Sequence, residues 1–128
     1  MIEFTVPGRP VPKRRPRSTT SGGKVLVYTP RETAAYEKAV GYVALNACQG
    51  RSITTDIAVG IKLYFKDRKF GDIDNYSKSI LDGMQGVVFD NDKQVAVLAV
   101  SRHRSENERA EVRVWVVGEL EDADSQAR

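Results

Sequence analysis

Ile2, Phe4 and Val6 alternate with Glu3 and Thr5, the period-two pattern of a short strand, and Pro7-Gly8 closes it. The next stretch, RPVPKRRPRSTTSGGK, is rich in Pro, Arg, Ser and Gly and has no periodicity. It reads as an extended loop whose prolines fix φ and hold the arginines outward. VLVYTP is then a short strand, the return half of a hairpin turning at Ser21, Gly22 and Gly23. Thr29 and Pro30 open a helix, with Thr29 as N-cap, Pro30 in the first helical position and Glu32 in the first turn. Its apolar stripe is expected at Ala35, Ala39, Tyr42 and Val43, with Tyr36 and Val40 beside them, up to Cys48, and Gly50 ends it.

ITTDIAVGIKLYFKD alternates through Ile57, Val59, Ile61, Leu63 and Phe65 and is the clearest strand of the chain. After the loop RKFG, the segment DIDNYSKSILDGMQG places Ile73, Tyr76, Ile80 and Met84 at helical spacing, with Gly86 as its stop. Beyond VVFDND, QVAVLAVSRH and AEVRVWVVGEL predict two antiparallel strands joined around SENE. Residues 119–128, EDADSQAR with the two residues before it, read as an acidic C-terminal tail after a domain spanning 1–118. The order β-α-β-α-β-β predicts a small single α/β (α+β) domain, a mixed sheet with two main helices packed mainly on one face.

Composition agrees with one modest core: 128 residues, 41% hydrophobic and 29% charged, exclude a disordered or collagen-like chain. No apolar run reaches the ~20 residues of a membrane span. The opening MIEFTVPGRPVPKRRPR runs apolar then basic, the reverse of a signal peptide. One cysteine, Cys48, excludes an internal disulfide, and one histidine, His103, argues against a Cys/His zinc site. A cytoplasmic protein with no membrane partner is expected. Charge changes the picture more. Residues 1–38 carry eight Lys/Arg against Glu3, Glu32 and Glu37, a net +5, whereas the rest of the chain nets −2. Positive charge concentrated at one end suggests a polyanionic partner, or else a free basic tail.

The candidate chemistry lies in GDIDNYSK, residues 71–78. In an extended backbone Asp72 and Asp74 point to one side, and Asp74 falls where the helix N-cap is expected. Lys78 lies one turn along the same face and Asp82 one turn beyond, while Asp92 can return from the turn DNDKQ. Hard carboxylate ligands of this kind select Mg²⁺ or Mn²⁺. Such a site can activate water for phosphodiester hydrolysis while a lysine neutralises developing charge. The competing reading is structural: Asp74 and Asn75 are ordinary capping residues, DND is an ordinary turn, and Lys78–Asp82 is an ordinary i, i+4 pair. Calcium loops and aspartyl-phosphate phosphatases share fragments of the pattern but not its spacing.

With its surroundings, the chain resembles the RusA family of Holliday junction resolvases. The family pattern D-x-D-N-x-x-K-x-x-x-D stands here as DIDNYSKSILD, residues 72–82, followed by DKQV from Asp92 to Val95. VPGRPVPKRRPR with YTP resembles the family's proline- and arginine-rich opening. The resemblance runs from about Ile2 to about Val117. It implies a RusA-like fold and Mg²⁺-dependent cutting of four-way DNA junctions by a homodimer, with Mn²⁺ as a substitute and no small-molecule cofactor. It carries the metal ligands onto Asp72, Asp74 and Asp92 and the catalytic lysine onto Lys78, with Asn75 and Asp82 in support. Some members carry two aspartates before x-Q-V where this chain has Asn91-Asp92, so Asp90 is a substitute candidate for the third ligand.

Paired symmetric nicks suit a two-fold dimer on a nearly two-fold junction. Lys13, Arg14, Arg15 and Arg17, with Arg68 and Lys69 before the DxD, are the candidate phosphate contacts. Two rivals stand: a nuclease preferring flaps or other branched DNA, and a non-catalytic DNA-binding protein. Against the second, DNA binding alone gains nothing from added negative charge. Phe70 and Tyr28 are candidate wedges into the junction. His103, Cys48 and Trp115 read as structural.

Overall fold

The computed structural model describes residues 1–14, 17–28 and 30–118. The expected Thr29 cap and the tail of residues 119–128 lie outside the described residues. The chain runs β1 (Ile2–Pro7), β2 (Arg17–Ser21), β3 (Lys24–Tyr28), α1 (Arg31–Cys48), β4 (Ile57–Phe65), α2 (Ile73–Met84), β5 (Val95–Arg104) and β6 (Arg109–Val116).

The main sheet has the order β1-β6-β4-β5. β4 pairs antiparallel with β6 and parallel with β5. A parallel pair needs a crossover, and α2 supplies it between β4 and β5. β5 and β6 run in opposite directions as the sequence predicts, but β4 lies between them. The reason is hydrophobic: β4 is buried along nearly its whole length, the signature of an inner strand, while β5 is largely exposed and takes the edge. The β2–β3 hairpin forms a separate two-stranded sheet, turning at Gly22 and Gly23 (φ 58° and 78°), where side chains are disfavoured. Part of the predicted loop is therefore strand β2.

Val59, Ile61, Leu63 and Phe65 of β4 face the core with Phe4, Val6, Val112 and Val114, against Tyr36, Val40 and Ala44 of α1 and Tyr76, Ile80 and Met84 of α2. Each fully buried aliphatic side chain contributes about 1.5–3 kcal/mol. The buried stripe of α1 is Thr33, Tyr36, Val40, Ala44 and Cys48: Tyr36, Val40 and Cys48 are buried as expected, whereas Ala35, Ala39 and Tyr42 are exposed. Tyr42 is 70% exposed. Alanines and tyrosines surround this helix, so its pattern leaves two faces nearly equivalent until α2 selects one. The selection occurs at Gly83, whose position sits so close to α1 that a Cβ there would lie 2.7 Å from the Glu37 carbonyl. α1 begins after Pro30, which occupies the N-cap position, and ends with Gln49 in the left-handed region before Gly50.

Candidate functional site

The proline-rich segment after β1 is pinned to the helices over residues 11–13, and Gly8 donates its amide to the Glu108 carbonyl. Ser79 Oγ donates to the Val11 carbonyl at 2.6 Å, Thr33 Oγ1 to the Pro12 carbonyl at 3.0 Å, and the Lys13 amide to the Asn75 carbonyl at 2.8 Å. These residues are not a free tail. Arg9 reaches further: its guanidinium binds Glu108 at 2.6 Å, Asp67 at 3.2 Å and the Lys69 carbonyl, and lies over the Phe65 ring. It thereby braces the loop that carries Arg68, Lys69 and Phe70 toward Asp72. Nothing in the spacing of the basic opening distinguished Arg9 from its neighbours.

α2 starts two residues earlier than the sequence suggests. Asp72, not Asp74, is the N-cap residue, with extended backbone (φ −68°, ψ 136°), and Asp74 lies in the first turn. Asp72 makes no side-chain cap hydrogen bond, so its carboxylate is not consumed by the helix start. Both aspartates are exposed. Buried Tyr76 anchors the approach, its hydroxyl accepting from the Gly71 amide at 3.1 Å. Phe70, Gly71, Asp72, Ile73, Asp74 and Arg102 of β5 line one open depression.

One turn along α2, the Lys78 ammonium lies 3.0 Å from Asp82 Oδ1 and 4.0 Å from Asp92 Oδ2. The other Asp82 oxygen binds Lys13 at 3.0 Å, and Lys13 also binds Glu37 at 2.6 Å. Burial alone would lower the Lys13 ammonium, but its hydrogen bonds to Glu37 and Asp82 raise it above the ordinary lysine value. Charges thus alternate from Glu37 through Lys13, Asp82 and Lys78 to Asp92.

Asp92 stands in a single 3-10 turn, Asp92–Gln94. Asn91 caps it by accepting from the Lys93 amide at 2.9 Å. Gln94 closes the other half: its Oε1 accepts from the Asp90 and Asn91 amides, and its Nε2 donates to the Ile53 and Thr55 carbonyls at 2.8 and 3.0 Å. The glutamine of the DKQV element therefore fastens the Asp92 turn to the entry of β4. Asp90 is exposed beside it.

Among the described residues, no group of three or more His, Cys, Asp or Glu side chains lies close enough together to hold a metal ion. The predicted convergence of Asp72, Asp74 and Asp92 on one point is thus not found, because Asp74 is on the helix and Asp92 leans toward Lys78. In kind, these exposed carboxylates fit a hard divalent cation. Of the predicted phosphate contacts, Lys13 is engaged as described, Arg14 lies 3.8 Å from Glu32, and Arg68 and Lys69 are exposed. Arg15 and the Arg17 side chain lie outside the described residues, as does that of Tyr28. Cys48 is buried as packing. His103 stacks on Tyr64 and lies 2.7 Å from Ser101 Oγ, and Trp115 lies over Gly60 on the sheet face away from the helices. No helix of the described residues is long and apolar enough to cross a membrane.

Carboxylates at a helix start, a lysine one turn along and a second acidic turn near that lysine are the residue types that phosphodiester cleavage uses. A family model described as Endodeoxyribonuclease RusA matches residues 7–115. The chain is also 31% identical, over an alignment of 137 residues covering 88% of it and 94% of the relative, to "Uncharacterized protein YqaN" of Bacillus subtilis (strain 168). The chain belongs to the RusA endodeoxyribonuclease family, and membership implies an endonuclease that resolves Holliday junctions in DNA recombination and repair. RusA nucleases are generally divalent-metal dependent.

Proposed function

We propose that this protein is a Mg²⁺-dependent endonuclease that cuts four-way DNA junctions by paired symmetric nicks as a homodimer in the cytoplasm. The observation that carries the reading is Lys78. It stands between Asp82 and Asp92, on the helix whose N-cap is Asp72 and whose first turn carries Asp74. Asp72, Asp74 and Asp92, which do not converge in the described structure, would have to draw together to hold the cation, and Mn²⁺ has the same preference for hard oxygen donors. Bound Mg²⁺ supplies Lewis acidity and a more acidic water.

The chain's own groups do the rest. Asp82 holds Lys78 in place, so that its ammonium can donate a hydrogen bond to an oxygen of the scissile phosphate as negative charge builds there. Asn75 carries the backbone carbonyl that anchors Lys13, which ties the N-terminal segment to this turn of the helix. Arg68 and Lys69, exposed in the loop before the site, suit contacts to flanking phosphates. For the homodimer, β5 supports the reading: it is an edge strand with Val97 and Leu98 exposed at 52% and 43%, and its far end carries Arg102 beside the acidic depression. A second copy added along that edge would bring two sites near one two-fold axis, as two symmetric nicks require.

The test is cleavage of an end-labelled synthetic four-way junction beside matched duplex and flap DNA, in Mg²⁺ or EDTA, with Asp74→Asn alongside. Paired nicks that need Mg²⁺, vanish in Asp74→Asn and spare the duplex are expected. Faster cutting of the flap would move the substrate to other branched DNA. Tight junction binding with no nicks in Mg²⁺ or Mn²⁺ would refute the catalytic reading.

A further inference from the structure

Arg102 is the cation at the rim of the acidic depression. It lines that depression with Asp72 and Asp74, yet among the described residues it forms no ion pair with any carboxylate. Its partner is an aromatic ring instead: the guanidinium carbon lies 4.2 Å from the centroid of Phe70. Phe70 is itself held from below, its ring 5.2 Å from that of Phe65, which is 1% exposed and part of the core. A column therefore runs from the core through Phe65 and Phe70 to Arg102, and it ends at the mouth of the site. A guanidinium held over a ring can still present N–H donors at its edge, and among the described residues that of Arg102 has no carboxylate partner, which suits bidentate binding of a phosphate.

The charge arrangement points the same way. Without a bound cation Asp72 and Asp74 repel a phosphodiester, and a fixed positive charge beside them lowers that repulsion whether or not a metal is held. Arg68 and Lys69 are exposed in the loop before the site, while two other cations near it are already engaged. Lys13 is taken up by Glu37 and Asp82, and Lys78 by Asp82 on the far side of the first helical turn. On β5, side chains alternate, so Arg102 falls on the helix side with Leu63 of β4, while Lys62 and Ser101 face the other way. Arg102 is thus the one β5 side chain between Val100 and Arg104 whose register aims it at the depression.

We infer that Arg102, clamped by Phe70, is a substrate-contacting residue of the site and grips a backbone phosphate of the DNA strand that crosses Asp72 and Asp74. The inference rests on the nuclease reading above for its location, but its binding half stands without cleavage. It gives Phe70 the part of a clamp for Arg102 in place of a wedge between bases. Arg102 was passed over in the sequence because it sits in an ordinary strand, between a serine and a histidine, twenty-eight positions from Asp74.

Two measurements test it on the full chain: binding of a labelled four-way junction in EDTA over a range of salt, and single-turnover cleavage in Mg²⁺ at saturating protein. Arg102→Met is expected to make the slope of log K against log salt shallower by about 0.9, one phosphate contact, and to slow cleavage by about tenfold or more. Arg102→Lys is expected to restore the slope without the rate, since it keeps the charge and loses the planar fork. Phe70→Ala is expected to keep the slope and lose several-fold in rate. Lys62→Met, which removes one charge from the opposite sheet face, is the control and should match wild type in both. An Arg102→Met protein no different from Lys62→Met in slope and rate overturns the inference. Arg102 is exposed, so its variants should keep the wild-type melting temperature; if Arg102→Met nonetheless unfolds, a wild-type cleavage rate in both Arg102→Lys and Phe70→Ala would overturn it equally. A wild-type chain that never nicks would sink the nuclease reading, while the salt slope would still decide whether Arg102 touches DNA.

Discussion

Lys13 separates two accounts of the basic N-terminal segment. By sequence it is one of a cluster of cations suited to DNA phosphates. In the folded chain its ammonium is 2.6 Å from Glu37 and 3.0 Å from Asp82, and the three side chains are only 24%, 21% and 19% exposed. Replacing it by methionine keeps the aliphatic stem and strands both carboxylates, Glu37 with no cation and Asp82 with Lys78 alone. Losing one partner costs about 0–1 kcal/mol for an exposed pair and about 3–5 kcal/mol for a buried one. At this intermediate burial, with two acceptors affected, about 2 kcal/mol is expected, or a melting temperature lower by about 8 °C for a chain of this size.

The pH dependence has a definite sign. Because the folded-state pKa of Lys13 is raised, its contribution is fully present below the unfolded value of about 10.4 and is lost as pH rises through the folded value. Wild type should therefore lose stability more steeply than Lys13→Met in strongly alkaline buffer. The assays are thermal unfolding and the salt dependence of junction binding. An unchanged melting temperature with a salt slope reduced by about 0.9 would show that Lys13 holds phosphate and that its ion pairs contribute nothing to the fold.

Three further changes probe the supports of the site. Gly83→Ala would place a methyl 2.7 Å from the Glu37 carbonyl and 2.8 Å from Val40 Cβ, neither of which can swing aside; a loss of about 3 kcal/mol in denaturant unfolding is expected, and a loss under 0.5 kcal/mol would contradict the close helix approach. Gln94→Met removes the two bonds to the Ile53 and Thr55 carbonyls and frees the Asp90 and Asn91 amides. It should cost about 2 kcal/mol and slow junction cleavage more than tenfold by loosening the Asp92 turn; full activity would detach Gln94 from the site. Tyr36 is 7% exposed, burial pushes its phenol far above the ordinary tyrosine value, and among the described residues its hydroxyl finds no partner. Tyr36→Phe should equal wild type or exceed it by up to about 1 kcal/mol, and a clear loss of stability would mean that the hydroxyl is satisfied.

What the sequence made legible was whatever depends on local periodicity. β4 announces itself because five apolar residues at alternate positions face one way, and all five are buried. α2 does so because Tyr76, Ile80 and Met84 share a face and the chain has a turn on either side. The DxD, Lys78 and the DKQV element could be named because their chemistry is in the residue types. The partners of those residues could not. That Asp82 serves two lysines, that Arg9 braces the loop before Asp72, and that Arg102 meets Phe70 all depend on contacts between residues far apart in the chain. The buried face of α1 and the insertion of β4 between β5 and β6 were hidden for a related reason: each is decided by which surfaces compete for the core.

Lys78 has work to do before any DNA arrives. Asp72, Asp74, Asp82 and Asp92 are like charges on or beside α2, and the chain offsets them with cations of two kinds. Lys13 is locked into the scaffold by two carboxylates and by the backbone bond from its amide to the Asn75 carbonyl. Lys78 is held on one side by Asp82 and approaches Asp92 only to 4.0 Å, with half of its side chain exposed. The fixed lysine neutralises Asp82 enough for that carboxylate to orient Lys78 without capturing it wholly. The looser Lys78–Asp92 contact is the one a phosphate or a cation can displace at small cost, since an exposed pair of this length contributes about 0–1 kcal/mol. Density of carboxylates beside a lysine is thus intelligible as a gradation: Lys13 ties the two helices through Glu37 and Asp82, Asp82 holds Lys78 at 3.0 Å, and the exposed Lys78–Asp92 contact at 4.0 Å is the weakest of the set.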